Sequence, residues 1–208
     1  MFRLAILRRK RRRIAHPSSV RQYERCAEDS RSSTGGAPIA RAEPVLTTPR
    51  LVLEPLVPSH TDVLFGVLDD PDLHTFTGGQ PRTRDELARW IGAVAAGGPP
   101  DGGERWCNWV VRRRDDDEVV GTVQATIVGE EASIAWVTGS AFQGSGFAKE
   151  AAAAMAEWLR SQGGVTKLRA EINPDHLPSQ AVARSLGLAP TDELDDGEVV
   201  WRDVPPDP

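Results

Sequence analysis

The stretch Ile134-Ala-Trp-Val-Thr-Gly-Ser-Ala-Phe-Gln-Gly-Ser-Gly-Phe-Ala-Lys-Glu150 has the clearest capacity for chemistry in this sequence. It reads as a strand, a glycine-rich turn and the first turn of a helix. Backbone N–H groups at a helix start have no partner in the helix, and the helix dipole adds positive potential, so such a junction can receive phosphate. Gly144 and Gly146 would let the backbone approach an anion closely. Other glycine-rich signatures do not fit. A Walker A loop needs GxxxxGK followed by Ser or Thr. A dinucleotide fingerprint needs GxGxxG, whereas Gly144-Ser145-Gly146 continues as Phe147-Ala148-Lys149. There is no GxSxG, so Ser145 is not a nucleophile elbow. The same residues also suit a glycine-rich connection without a ligand, and composition alone leaves both readings open.

Other reactive side chains are sparse. The four histidines, His16, His60, His74 and His176, form neither HxxxH nor HExxH, and no metal is expected. Two cysteines, Cys26 and Cys107, exclude a disulfide scaffold and fit a reducing compartment, so a cytoplasmic location is expected. No apolar run is long enough to span a bilayer, and no membrane partner is expected. Charge divides the chain. Residues 1–41 hold 11 Arg or Lys against 3 acids, and the remainder holds 14 against 27. This reads as a basic, disordered tail over residues 1–44 ahead of one acidic domain over 45–208. The run RRKRRR could hold nucleic acid or serve as a targeting peptide. The plain reading is a solvated leader.

The elements that must position the loop follow from periodicity. Alternation from Arg50 to Val57 predicts a first strand. Ser59 and Asp62 predict a capping box for a helix with Val63, Leu64, Val67 and Leu68 on its apolar stripe. Thr83 and Glu86 predict another, for a helix burying Leu87, Trp90, Ile91 and Val94. Strands are expected at Arg105–Arg113, Glu118–Val128 and Ala132–Thr138. A helix from Gly146 to Ser161 should follow, with Ala151, Ala152, Met155, Trp158 and Leu159 facing a core. Then come a strand from Lys167 to Ile172, a short helix from Ser179 to Leu186, and a hairpin of Leu188–Leu194 with Val199–Asp203. The fold class is α/β (α+β): a mixed, mostly antiparallel sheet flanked by helices. The helix between strands implies one parallel pair.

Three motifs carry a family resemblance. Gln143-Gly-Ser-Gly-Phe-Ala148 resembles the Q/R-x-x-G-x-G/A motif of the GNAT N-acetyltransferase superfamily. Thr48-Pro-Arg-Leu-Val-Leu-Glu-Pro55 resembles the opening of its RimJ/RimL-type, ribosomal-protein N-acetyltransferase-like branch. Ile172-Asn-Pro-Asp-His-Leu-Pro-Ser179, with Val182 and Leu186-Gly187-Leu188, resembles that branch's closing segment. The resemblance covers about residues 50–203, with the motifs in the family's order.

The resemblance implies acetyl-CoA as co-substrate, held between two splayed central strands, and direct transfer of acetyl to a primary amine, on a protein N-terminus or a small molecule. Pyrophosphate would sit on Gln143, Gly144, Ser145, Gly146, Phe147 and Ala148. The pantetheine arm would run beside Trp136 and Val137, with a backbone N–H near Val137 on the thioester oxygen and His176 in hydrogen-bonding reach. Ser179 matches a serine that lies near the thioester sulfur, where it either donates to the leaving thiolate or only caps its helix. Glu171, the carboxylate on the adjacent strand, is the candidate base or water-orienting group. Four departures stand out. His176 replaces a common Asn, Tyr23 in the tail is the only tyrosine, Ser133 stands where relatives often carry Glu, and Thr138-Gly-Ser140 replaces a proline-containing approach. The missing Tyr and Glu keep an alternative open, a non-catalytic acyl-CoA-binding regulatory module. Acetyl-CoA and an amine acceptor are the expected partners. Nucleic acid enters only through the basic tail, and a homodimer is left open.

Overall fold

The computed structural model describes residues 43–76, 80–99, 102–161 and 164–204. The basic run of the expected tail lies outside them. Glu43 and Pro44 are described and already tied to the body: Glu43 pairs with Arg105 at 3.5 Å, and Trp109 Nε1 donates to the Pro44 carbonyl at 2.9 Å.

A two-residue strand, Leu46–Thr47 (β1), precedes Leu51–Pro55 (β2). In β2, Leu51 and Leu53 are fully buried while Val52 and Glu54 are not, the alternation that makes a strand with two different faces. Helix α1 spans Thr61–Leu68 and α2 spans Arg84–Val94. The Thr83–Glu86 capping box forms as expected. The Ser59–Asp62 box does not. Pro58 opens a 3-10 turn, Pro58–His60, that places Ser59 inside the turn instead of at the cap. Asp62 pairs with Arg84 at 2.7 Å, linking α1 to the start of α2. In the α1 stripe Leu64 is fully buried, but Val63 is largely exposed and Thr61 takes a buried place.

Strands Arg105–Arg113 (β3), Val119–Val128 (β4) and Glu131–Thr138 (β5) form an antiparallel meander. Helix α3, Phe147–Ser161, then crosses over to Lys167–Ile172 (β6), which lies parallel to β5. Helix α4, Leu177–Ser185, and the hairpin Leu188–Asp195 (β7) with Glu198–Asp203 (β8) follow. The eight strands lie in the order β1-β2-β3-β4-β5-β6-β8-β7, with β5–β6 the parallel neighbours. The structure therefore has the expected mixed, mostly antiparallel sheet.

Two apolar layers hold it. α3 and α4 cover one face, where Met155 and Leu159 of α3 are fully buried against Trp109, Val123, Ile134 and Leu168. Each such side chain contributes about 1.5–3 kcal/mol. α1 and α2 cover the other face through Leu64, Leu87, Trp90, Ile91 and Val94 against Trp106 and Val110. Cys107 is fully buried, and burial pushes its thiol up to about 12, so it is inert at neutral pH. No helix among the described residues is long and apolar enough to cross a membrane.

Candidate active site

The parallel joint between β5 and β6 is short. It matches Glu131 with Lys167, Ala132 with Leu168 and Ser133 with Arg169, and no further pair forms. Ile134–Thr138 and Ala170–Ile172 run on without pairing to each other, so a gap opens in mid-sheet. The N–H of Gly139 donates to Val120 O, and alternation along an antiparallel ladder then turns the N–H of Val137 toward β4 as well. Trp136 and Thr138 turn theirs into the gap. The N–H expected near Val137 thus belongs to its neighbours, while the Trp136 side chain packs partly on the α3 layer.

At the end of β5 a 3-10 turn, Ser140–Phe142, leads to Gln143 and the glycines. Gly144 and Gly146 have φ of 76° and 81°, conformations that an L side chain rarely adopts. Gln143 Nε2 donates to Thr138 O at 3.2 Å, tying the loop to its strand. The first bond of α3 is Glu150 N–H to Gly146 O at 3.1 Å, leaving the N–H groups of Phe147, Ala148 and Lys149 ahead of the helical ladder. Gln143 to Gly146 are exposed, and a Cβ built on Gly144 would meet nothing within 4 Å. The loop therefore fits an anion: open, glycine-lined and at a helix start.

A clamp that sequence reasoning missed holds this loop. Arg50 donates from Nε to Glu150 at 2.6 Å and from Nη1 to Ser145 O at 3.0 Å, and its guanidinium lies 4.8 Å from the Phe147 ring centroid. Its Nη2 is 3.5 Å from where a Gly146 Cβ would stand. Glu150 also accepts from Thr48 Oγ1 at 2.6 Å and from the Arg50 N–H at 2.9 Å. Burial works to raise the Glu150 carboxyl. The hydrogen bonds from Thr48 and Arg50 and the Arg50 charge outweigh it, so the carboxyl sits below its usual range. The clamp's contribution is complete above the ordinary glutamate range and is lost as pH falls through the depressed value. Its partners are about a hundred residues apart but lie in the Thr48–Pro55 motif and at the end of the Ile134–Glu150 stretch, and the opposite charges there were the available signal.

Across the gap, Glu171 is paired with Arg169 at 2.6 Å and accepts from Ser133 Oγ at 3.2 Å. The Ser133–Glu171 bond clasps β5 to β6 where they begin to part. Arg169 also reaches Asp195 at 2.7 Å. Ser179 does not cap α4. The helix starts at Leu177 with His176 as its N-cap and Pro178 in its first turn, which puts Ser179 at the third helical position instead of at the cap. Its hydroxyl bonds to no described residue. His176 stacks on Phe76 with ring centroids 4.4 Å apart and planes 8° apart, and Asn173 Nδ2 donates to Phe76 O at 3.3 Å. The segment after α1 is thereby tied to the loop between β6 and α4. No sequence pattern pointed to this stack.

Burial lowers His176 below its ordinary 6.5, so the stacked ring is neutral at pH 7. A depressed histidine stabilises the fold above the ordinary value, and the gain is lost as pH falls toward the folded one. The melting temperature should therefore fall more between pH 7.5 and 5.5 in the native chain than in His176→Asn. Parallel profiles would show that the stack carries no proton linkage.

Comparison with known proteins agrees with this architecture. RimL, a ribosomal L7/L12 alpha-N-protein acetyltransferase solved with coenzyme A, superposes with a TM-score of 0.65 at 16% identity over 77% of this chain and 98% of its own. A GNAT-family acetyltransferase from Bacillus anthracis gives 0.63 at 15% identity over 76% and 97%. An acetyltransferase from Agrobacterium tumefaciens gives 0.62 at 21% identity over 82% and 100%. These likenesses establish the fold. Among curated proteins, no sequence matches. The sequence profile of the acetyltransferase (GNAT) domain matches residues 50–189, which takes in the Arg50 clamp, the gap and the glycine loop, and the chain belongs to that family of N-acetyltransferases.

Proposed function

We propose that the chain transfers acetyl directly from acetyl-CoA to an amine. The observation that carries this reading is the mid-sheet gap beside an open glycine loop at the start of α3. Acetyl-CoA supplies the activated acyl group. Gln143, Gly144, Ser145, Gly146, Phe147 and Ala148 would hold its pyrophosphate on backbone amides, with Arg50 adding positive charge beside them. Trp136 and Val137 would border the pantetheine arm, and an inward N–H from Trp136 or Thr138 would receive the carbonyl oxygen as charge develops. His176 would border the arm on the other strand's side. Glu171 would orient the amine or a water that takes its proton, and Ser179 would donate to the departing thiolate. A cytoplasmic setting goes with this co-substrate. The acidic domain from residue 45 would act without the preceding basic tail.

The test is to follow free thiol from acetyl-CoA against a panel of amines. Amine-dependent release is expected, whereas binding without release would leave a regulatory module. Ser179→Ala should change stability by no more than about 0.5 kcal/mol, since no described bond is lost. It should lower kcat about tenfold, with acetyl-CoA affinity unchanged. Full turnover in this variant would leave solvent as the proton source.

A further inference from the structure

The two edges of the gap are joined again beyond its open end. β5 and β6 are parallel and pair only near their starts, so the gap opens toward the residues that follow them, Gly139 and Ser140 after β5 and Asn173 to His176 after β6. The segment Val67–Phe76, which continues α1, touches both sides. On the β5 side the Ser140 hydroxyl bonds the Asp70 carboxylate, and a Cβ on Gly139 would stand 2.7 Å from Val67 Cγ1, so the bare glycine lets Val67 come close. On the β6 side Phe76 meets Asn173 through its carbonyl and His176 through its ring. Between these contacts Pro71–His74 forms a 3-10 turn. Asp70 caps it by accepting from the Asp72 N–H at 2.9 Å, and the Thr75 N–H closes it on Asp72 O at 3.3 Å. The segment is therefore a braced span across the open end. It lies on the face opposite α3, because Val67 and Leu68 pack in the other apolar layer.

The span decides how His176 is held. Its backbone is fixed by its own loop: the His176 N–H donates to Asn173 O at 2.9 Å, and the Asp175 N–H donates to Asn173 Oδ1 at 2.9 Å. The ring is held differently. No described residue hydrogen-bonds either ring nitrogen, so its plane rests on packing, and the near-parallel stack on Phe76 covers one whole face of it. Both nitrogens stay available to a ligand. A side chain that is ordered only when a ligand arrives subtracts from affinity, and one ordered beforehand does not. We infer that Phe76 is a positioning residue for acetyl-CoA, holding the His176 ring so that a ring nitrogen faces the amides of the pantetheine arm. This rests on the acetyl-transfer reading, in which His176 borders that arm. A neutral imidazole carries one donor and one acceptor, which matches the N–H and C=O of an amide. Phe76 acts through His176, from a segment that belongs to neither edge of the gap.

The experiment measures acetyl-CoA affinity by calorimetry for the full chain, Phe76→Ala, Phe76→Tyr, His176→Ala and the double variant Phe76→Ala/His176→Ala. Phe76→Ala should raise the dissociation constant about five- to tenfold, the range for ordering one side chain on binding. Phe76→Tyr keeps the ring face and should bind within about twofold of the native chain. Residues that act through one another are not additive, so once His176 is alanine the loss of the Phe76 ring should cost no further affinity. A merely structural role for Phe76 gives the opposite result, with the two losses multiplying. In a second measurement, the His176 ring NMR signals, assigned by their loss in His176→Ala, should shift when acetyl-CoA is added to the native chain. The shift should shrink in Phe76→Ala at saturating acetyl-CoA. Phe76 is only half-buried, so its truncation should leave the chain folded. Native-like binding by Phe76→Ala, multiplying losses in the double variant, or a His176 ring that acetyl-CoA leaves unmoved overturns the role of Phe76 while acetyl-CoA binding stands. A native chain that binds no acetyl-CoA overturns both this role and the transfer reading.

Discussion

Replacing Gly121 by alanine is expected to be the most damaging glycine-to-alanine change among the described residues. A Cβ on Gly121 would stand 2.0 Å from the Val137 carbonyl oxygen and 3.0 Å from the Thr138 Cα. Both are backbone atoms of the neighbouring strand, so no side chain can swing aside. The clash must push β4 from β5 at the end of their ladder, where Gly121 pairs with Thr138 and Gly139 N–H bonds Val120 O at 2.9 Å. Overpacking of this kind costs about 1–3 kcal/mol, with more expected here because the obstacle cannot relax. A chain of this size loses roughly 2–4 °C per kcal/mol, so the melting temperature should drop by several degrees to more than ten. The displaced residues also border the gap, so acetyl-CoA affinity should fall with stability. An unchanged melting temperature would mean that β5 is not seated against Gly121.

Gly146→Asp should abolish the thermal shift produced by acetyl-CoA. At φ 81° aspartate is strained only modestly, because it tolerates the left-handed region better than most side chains. Charge dominates instead. The new carboxylate would enter a helix N-terminus proposed to hold pyrophosphate, and it would stand within reach of Arg50 Nη2. A ligand at a hundred times its dissociation constant stabilises by about 2.7 kcal/mol, a shift of several degrees, and that shift should vanish. Gly146→Asn has nearly the same shape without the charge and should retain part of it. Equal shifts in all three proteins would remove the loop from the site.

These positions show what could be read in the chain. The glycine loop, the Thr83–Glu86 cap and the single parallel joint were legible because each is written in neighbouring residues. A cap needs four of them, and a crossover shows as helix between strands. The Arg50–Glu150 clamp and the Phe76–His176 stack join residues about a hundred apart, and no local period records such a meeting. Ser59–Asp62 failed as a cap because Pro58 imposed its own turn one residue earlier.

The three-pair joint also bears on how the protein behaves in a concentrated solution. Most sheets carry unpaired backbone only at their two rims, where another chain can add and begin an aggregate. Here the interior of the sheet contributes two further raw edges, Ile134–Thr138 and Ala170–Ile172. Helix α3 covers one face of them and they converge on the Ser133–Glu171 clasp, so a second protein strand would have to enter a blind wedge to reach them. The fold thus keeps sticky backbone available to a slender molecule while denying it to another copy of itself.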